Sequence, residues 1–461
     1  MKYDQFRTDI INAVKKFSLI KKSEKIRLIS HYDADGLCSA SQLISALNRN
    51  NRSYSLTIVP QLTEKEVIKL SSEKYKAYIF SDLGSGQIKY ILKYLKNRKI
   101  FILDHHFIEK INQNKAVHIN PHLYDIDGSE EISGSGVVYL FCKALNPKNR
   151  ELCHLPIIGA IGDAQENSGF SGFNNEFLKE AVLLNKIKIK TSINWFGIET
   201  KPLFKLLAYD KDIFIPGVSG SESCAIQFLN QIQIKPKIKG DWVKYNQLDE
   251  KQKQRLITAI VMKRTNQKNP EDILGKRYIL VEEQKNLPTR DAKEFSTLLN
   301  ACGRMDAASL GIGACLNRDD LKQKAIKCMD QYRREIGNAL RWYEENKDTK
   351  KIIKGKNYII LNTGNDIRYT IIGTLASIIS NSNNFKQETY IISMGYTPDN
   401  IIKISIRKTG NIINSDLREI LKEIVINIDD SEIGGHKNAA GGYVLKDKES
   451  EFIESVKKNL S

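Results

Sequence analysis

The stretch KIRLISHYDADGLCSASQLISAL, residues 25–47, holds two contrasting patterns on either side of an acidic turn. Residues 25–29 form a short apolar run with strand character, and residues 36–47 carry apolar side chains at helical spacing. Asp33 and Asp35 therefore fall in a strand-to-helix turn, behind His31 and just ahead of Gly36. Such turns at the carboxyl ends of strands are where open α/β sheets keep their ligands. Two carboxylates held this close raise each other's pKa unless a cation or bulk water neutralises them. The alternatives at this point are a metal ligand pair, or one helix-capping Asp beside a solvated one.

The same grammar repeats downstream. The runs YSLTIV (54–59), KAYIFSD (76–82), RKIFILD (98–104) and AVHIN (116–120) alternate with helical patterns, predicting a parallel, doubly wound sheet. YIFSDLGSG leaves Asp82 beyond an apolar run, IFILDHH does so with Asp104, His105 and His106, and PIIGAIGDAQ with Asp163. Four segments thus bring Asp or His to element ends that a parallel sheet can gather at one edge. A set of carboxylates with a minority of imidazoles suits Mn²⁺, Mg²⁺, Zn²⁺ or Fe²⁺ and leans toward Mn²⁺ or Mg²⁺.

With 461 residues, 41% of them hydrophobic, the chain calls for two or three domains. The expected organisation is a catalytic α/β domain over 1–204, a Lys/Gln-rich intervening module over 205–290, a connecting segment over 291–349, and a smaller α/β domain over 350–461. Residues 318–348 contain no proline and repeat apolar side chains every three or four positions, as one long helix does. No apolar run reaches the roughly 18 residues of a membrane span, and the N-terminus lacks a secretory pattern, so a cytoplasmic protein with no membrane partner is expected. Seven scattered cysteines without a C-x-x-C pair fit reduced thiols. The net charge of +17 favours a polyanionic partner. His118 and His122 flank Pro121, which breaks the helix a zinc-binding pair would need.

Taken in order, HYDADG, SDLG, LDHH, IGDA and the C-terminal GGHKNAAGG (434–442) resemble the motifs of the DHH/DHHA1 phosphoesterase superfamily. LLNACGRMDAASLGIGACL (298–316), IPGVSGSE (215–222) and NPHLYDIDGSEEISGSGVVYLF (120–141) are similar to archaeal RecJ-type exonucleases. The resemblance implies a DHH catalytic domain joined by a helical linker to a DHHA1 domain, with the active site in the cleft between them. It implies two divalent cations, Mn²⁺ foremost and Mg²⁺ next. His31, Asp33 and Asp82 would hold one, and Asp35, Asp82, His105 and Asp163 the other, with Asp82 shared. His106 would contact the scissile phosphate and Asp104 would orient the histidines. Arg304, Ser405, Arg407, Gly434, Gly435 and His436 would bind substrate phosphates.

The activity so implied is exonucleolytic hydrolysis of single-stranded DNA or RNA, 5′ to 3′, in replication or repair. A cation-activated water would be the nucleophile, needing no separate general base. Two alternatives attach to the same resemblance: a replisome component binding the GINS complex, and a phosphodiesterase of short oligonucleotides, cyclic dinucleotides or phosphoadenosine phosphate. Bacterial RecJ enzymes carry a further oligonucleotide-binding domain after the accessory one, whereas this sequence stops at Ser461, so processivity and tight single-strand affinity are not expected unless the 205–290 module or a partner substitutes.

Overall fold

The computed structural model describes residues 2–108, 115–210, 213–267, 269–382, 385–410 and 416–460, with His436 described in its backbone only. Five parallel strands come first: β1 (Ile26–His31), β2 (Tyr54–Val59), β3 (Ala77–Ser81), β4 (Lys99–Leu103) and β5 (Val117–Ile119), in the order β2-β1-β3-β4-β5. Helices α1 (Lys2–Ser18), α2 (Ala34–Arg49), α3 (Glu64–Ser71) and α4 (Ile88–Tyr94) surround them. One sheet face packs Ile29, Tyr78, Phe80 and Ile102 against Val67, Leu70, Ile88 and Ile91 of α3 and α4. On the other, Phe17 of α1 meets Phe101 edge-to-face at 5.6 Å. Both faces are covered, which is why the strands read as near-continuous apolar runs.

The strand register positions the site. Ser30, Ser81, Leu103 and Ile119 form one row across β1, β3, β4 and β5. The residues that follow them, His31, Asp82 and Asp104, therefore emerge at one edge. The chain winds one way from β1 to β2 and the other way from β3 onward, so this edge is the crevice where an open α/β sheet takes its ligand.

Helices α5 (Gly134–Leu145), α6 (Leu155–Gly162) and α7 (Gly172–Leu183) continue the first unit. Strand β6 (Ile187–Ile193) leads into the module, whose elements are α8 (Leu203–Tyr209), α9 (Glu222–Gln231), a hairpin of β7 (Lys237–Ile238) and β8 (Asp241–Trp242), and α10 (Glu250–Lys263). Its core gathers Trp195, Leu203, Phe204, Leu207, Phe228, Leu256 and Ile260. Strand β9 (Leu274–Leu280) then returns antiparallel to β6 along its whole length, clasping the two ends of the module together.

Helices α11 (Ala292–Arg304), α12 (Ala308–Cys315) and the long α13 (Asp319–Asn346) follow. The chain divides into two compact units, Met1–Ile326 and Lys327–Ser461. The second holds a mixed sheet of β10 (Ile352–Lys354), β11 (Tyr358–Asn362), β12 (Tyr390–Tyr396), β13 (Ile401–Lys408), β14 (Glu432–His436) and β15 (Ala439–Leu445), ordered β10-β11-β12-β13-β15-β14. Helix α14 (Ile372–Ser380) packs along β12 and β13, while α15 (Leu417–Val425) and α16 (Glu449–Leu460) build an apolar core with Ile392, Ile404 and Ile406. No helix among the described residues is long and apolar enough to cross a membrane.

Candidate metal centre

Asp33 is the N-cap of α2, its side chain accepting the Gly36 N–H at 3.0 Å. Capping and ligand chemistry are thus compatible here, because a carboxylate has a second oxygen to offer. That second oxygen, Oδ2, lies 2.8 Å from His31 Nδ1. Asp35, two residues on, is fully buried rather than solvated. Asp82 follows β3 with a left-handed φ of +58°, a conformation that costs an L-residue energy and clusters at functional sites. Its Oδ2 lies 3.6 Å from His31 Nδ1, while Oδ1 lies 3.3 Å from His105 Nε2 and 3.9 Å from His106 Nδ1. His105 Nε2 is also 3.4 Å from Asp163 Oδ2 and 3.8 Å from Asp35 Oδ2.

Three groups of prospective ligand atoms result: His31 with Asp33 and Asp82; Asp82 with His105 and His106; and Asp35 with His105 and Asp163. Asp82 and His105 each belong to two of them. Asp163 reaches this place from the C-terminal end of helix α6, not from a strand of the sheet as its apolar lead-in resembles. His118 and His122 join none of the three groups among the described residues.

Hydrogen bonds set the tautomers. His105 Nδ1–H donates to the Gly128 carbonyl at 2.6 Å and His31 Nε2–H to the Pro60 carbonyl at 3.2 Å, so each ring turns its other nitrogen toward the carboxylates. Asp104 takes no part in the three groups. Its Oδ1 accepts the N–H of His105, the N–H of His106 and His106 Nδ1–H, and its Oδ2 accepts the Ser85 N–H. Ser85 Oγ in turn contacts His118 Nε2, and Asn120 donates to both Ser85 Oγ and the His106 carbonyl. His118 is therefore structural support, and burial pulls its pKa down to about 4.

Small residues make room for these charges. The N–H and hydroxyl of Ser135 both donate to Asp35. A Cβ on Gly159 would fall 2.1 Å from Asp35 Oδ1 and from Ser135 Oγ, and one on Gly134 would fall 2.5 Å from Asp82 Oδ1. Helix α11 packs against the acidic turn: Asn300 Oδ1 accepts the Ala34 N–H at 3.0 Å, and a Cβ on Gly303 would come within 1.7 Å of the Tyr32 carbonyl oxygen. Arg304, next in sequence, is half-buried beside that contact. Ser135, Gly134, Gly159, Asn300 and Gly303 lie within the stretches quoted from the sequence, but nothing local marks them individually as belonging to the site.

In the second unit, Ser405, Gly441 and Gly434 form one cross-strand row over β13, β15 and β14. Arg407 Nη1 donates to Ser405 Oγ at 3.0 Å, and its Nε donates to Ser377 Oγ at 2.9 Å. Gly435, at φ +120° and with Ala439 O only 2.4 Å from where a Cβ would sit, is a position for glycine alone. The His436 side chain lies outside the described residues.

The clustered charges fit a cation. Asp82 Oδ1 and Oδ2 and Asp163 Oδ2 are buried without a hydrogen-bond partner. Burial and the nearby Asp82 charge push Asp35 up to about 7, and burial with Asp35 raises Asp163. Burial opposes protonation of His31 and His105, but the carboxylates facing them prevail and raise both. Burial likewise opposes ionisation of Asp33 and Asp104, yet His31 beside the first and His106 beside the second hold them well below the carboxylate range.

A pH dependence follows. Asp35, Asp163, His31 and His105 all bind protons more tightly in the folded, metal-free chain than in the unfolded one. Their contribution to stability is complete below the unfolded carboxylate pKa of about 4 and is lost as pH rises through about 7 and beyond. The depressed Asp33 and Asp104 act at the acid end, where stability is lost as pH falls. The metal-free melting temperature is expected to drop between about pH 5 and pH 8, and the increment added by Mn²⁺ to grow over the same interval. Thermal melts with and without Mn²⁺ check this; an increment independent of pH contradicts it.

Residues 25–160 match the DHH family N-terminal domain, 195–275 the DHH-CID domain and 355–461 the DHHA1 domain. An uncharacterised protein of Methanocaldococcus jannaschii is 34% identical over 446 residues, covering 94% of this chain and 92% of its own. The chain is a RecJ-like member of the DHH/DHHA1 superfamily. DHH-family members are phosphoesterases and RecJ is a nuclease. Among solved structures, RecJ of Thermus thermophilus in complex with Mn²⁺ is similar at 15% identity and TM-score 0.58, over 98% of this chain and 54% of RecJ. This DHH chain thus spans about half of that enzyme. CDC45 of Entamoeba histolytica shares the fold at 11% identity and TM-score 0.63, over 99% of this chain and 98% of its own. The RecJ structures with Mn²⁺ and with Mg²⁺, together with the acidic and histidine clusters, support a divalent cation.

Proposed function

We propose that this chain is a divalent-metal phosphodiesterase that shortens single-stranded DNA or RNA from the 5′ end. The observation that carries the proposal is Asp82, whose two oxygens face two separate ligand groups. His31, Asp33 and Asp82 would hold one cation, and Asp35, Asp82, His105 and Asp163 a second, with Mn²⁺ the first candidate. Bound there, such cations supply an activated water and offset charge on the phosphoryl group.

The chain's own residues do the rest. Ser135 and the missing side chains at Gly134 and Gly159 keep Asp35 and Asp82 in register. Asp104 fixes His106 with Nδ1 as donor, so that Nε2 meets a phosphoryl oxygen. Arg304, Ser405, Arg407 and the glycine strand edge at 434–435 are proposed phosphate contacts, and Arg304 is suited to it by its planar fork. His436 is proposed with them on the resemblance alone. Association with GINS is a second proposal, resting on the resemblance to archaeal RecJ.

The test is digestion of 5′- and 3′-labelled DNA and RNA strands of about 30 nucleotides, with Mn²⁺ or with a chelator. Stepwise loss from the 5′ end with Mn²⁺ is expected. No cleavage of any strand overturns the proposal, and preference for a trinucleotide transfers the chain to the short-oligonucleotide alternative. Asp104→Ala is expected to lower kcat by about 100-fold while the Mn²⁺-induced rise in melting temperature persists, because Asp104 positions His106 and joins no ligand group. Loss of that thermal shift would show Asp104 to be a ligand instead.

A further inference from the structure

The hairpin β7–β8 projects from the module with Lys237, Ile238, Lys239, Gly240, Asp241 and Trp242 all exposed. Its flanks are anchored: Ile234 and Val243 are buried, and the Val243 N–H donates to the Pro236 carbonyl at 2.9 Å. Trp242 packs on Phe204 with ring centroids 4.3 Å apart, and the Lys237 ammonium lies 4.2 Å from the indole centroid. Lys205, one residue past Phe204, is exposed, its ammonium 6.0 Å from the Phe204 ring. The hairpin is therefore held by packing and is not a loose loop.

The turn is informative. Lys239 and Gly240 both adopt positive φ, +51° and +92°, as a two-residue type I′ hairpin demands. Asn, Asp or Gly suits the first of these positions, and Lys does not. A charge is thus kept at the tip against local conformational preference. Segment 235–244 carries Lys235, Lys237, Lys239 and Lys244 against the single acid Asp241. Among the described residues, no carboxylate lies within salt-bridge reach of these lysines or of Lys205.

We propose that this hairpin is a binding wing for the phosphate backbone of single-stranded nucleic acid, separate from the metal centre. Lys235, Lys237 and Lys239 alternate with Pro236 and Ile238, so that a positive charge recurs at every second residue, about 7 Å along an extended backbone. Trp242 has Phe204 and Lys237 against its ring, so it stiffens the wing instead of inserting into a bilayer. The identity of the polyanion rests on the function proposed above.

The test uses the full chain with chelator, so that binding is read without cleavage, and a labelled single strand of about 30 nucleotides at several salt concentrations. Replacing Lys235, Lys237 and Lys239 together by Gln is expected to weaken binding at least about tenfold and to lower the log–log salt slope by about 2. Lys239→Asn, which suits the turn better, is expected to keep or raise the melting temperature while still weakening binding; this separates lost charge from lost structure. Cleavage of a dinucleotide with Mn²⁺ should be unchanged in both variants. If the triple variant binds the strand as wild type does, or loses only binding to anionic phospholipid vesicles, the wing proposal falls while cleavage by the wild type upholds the nuclease. If binding is lost in the variant but no wild-type cleavage is found, the wing stands and the nuclease falls.

Discussion

Replacing Asp82 by asparagine is expected to lower Mn²⁺-dependent hydrolysis by at least about a thousandfold, since a shared cation ligand is worth several kcal/mol of transition-state stabilisation. Asparagine keeps the shape of the side chain but cannot offer two anionic oxygens. Its one carbonyl would serve either the His31–Asp33 group or the His105 group, not both. The same substitution removes a negative charge that raises Asp35 and Asp163 in the metal-free chain. The metal-free melting temperature is therefore expected to rise even as activity disappears. Calorimetric titration with Mn²⁺ should show fewer sites than the wild type. Activity within tenfold of wild type would remove Asp82 from the centre of the mechanism.

Gly303→Ala tests the support of the acidic turn from helix α11. The added methyl would come within 1.7 Å of the Tyr32 carbonyl oxygen, a backbone atom between His31 and Asp33 that no side-chain rotation relieves. Either α11 or the turn must shift, and a loss of about 2 kcal/mol or more in stability is expected, at the upper end of ordinary overpacking. Mn²⁺ affinity should fall with it, because His31 and Asp33 move together with Tyr32. Gly337→Ala is the control, having no atom within 4 Å of the new methyl and lying inside helix α13. There the exchange should stabilise the chain by up to about 1 kcal/mol. Denaturant melts of both variants decide the matter; equal stability would mean that α11 does not brace the turn.

The fold was legible because β1, β3 and β4 are buried on both faces, which leaves short apolar runs in the sequence alternating with longer helical stretches. The edge from which Asp33, Asp82 and Asp104 emerge follows from strand register, and three of the four acidic segments announce themselves at strand ends. Asp163 resembled them in its apolar lead-in, yet it ends a helix: eight apolar or small residues suit a buried helix as well as a strand, and periodicity does not separate the two. Gly134, Ser135 and Gly159 were illegible for a different reason. Their contribution is space, or a donor reaching Asp35 from 100 residues away, and neither leaves a local trace. Asn300 and Gly303 stood in a stretch that the family resemblance singled out, but their contacts with Ala34 and Tyr32 exist only in three dimensions. The left-handed backbone of Asp82 is equally silent, since nothing about an Asp before Leu83 and Gly84 demands it.

The centre itself is tested most directly by anomalous scattering at the manganese edge from crystals of the full chain soaked in Mn²⁺. Two peaks are expected, one within bonding distance of Asp82 Oδ2, His31 and Asp33, the other of Asp82 Oδ1, Asp35, His105 and Asp163. Peaks confined to other acidic surfaces, with these side chains unmoved and bare, would contradict the account.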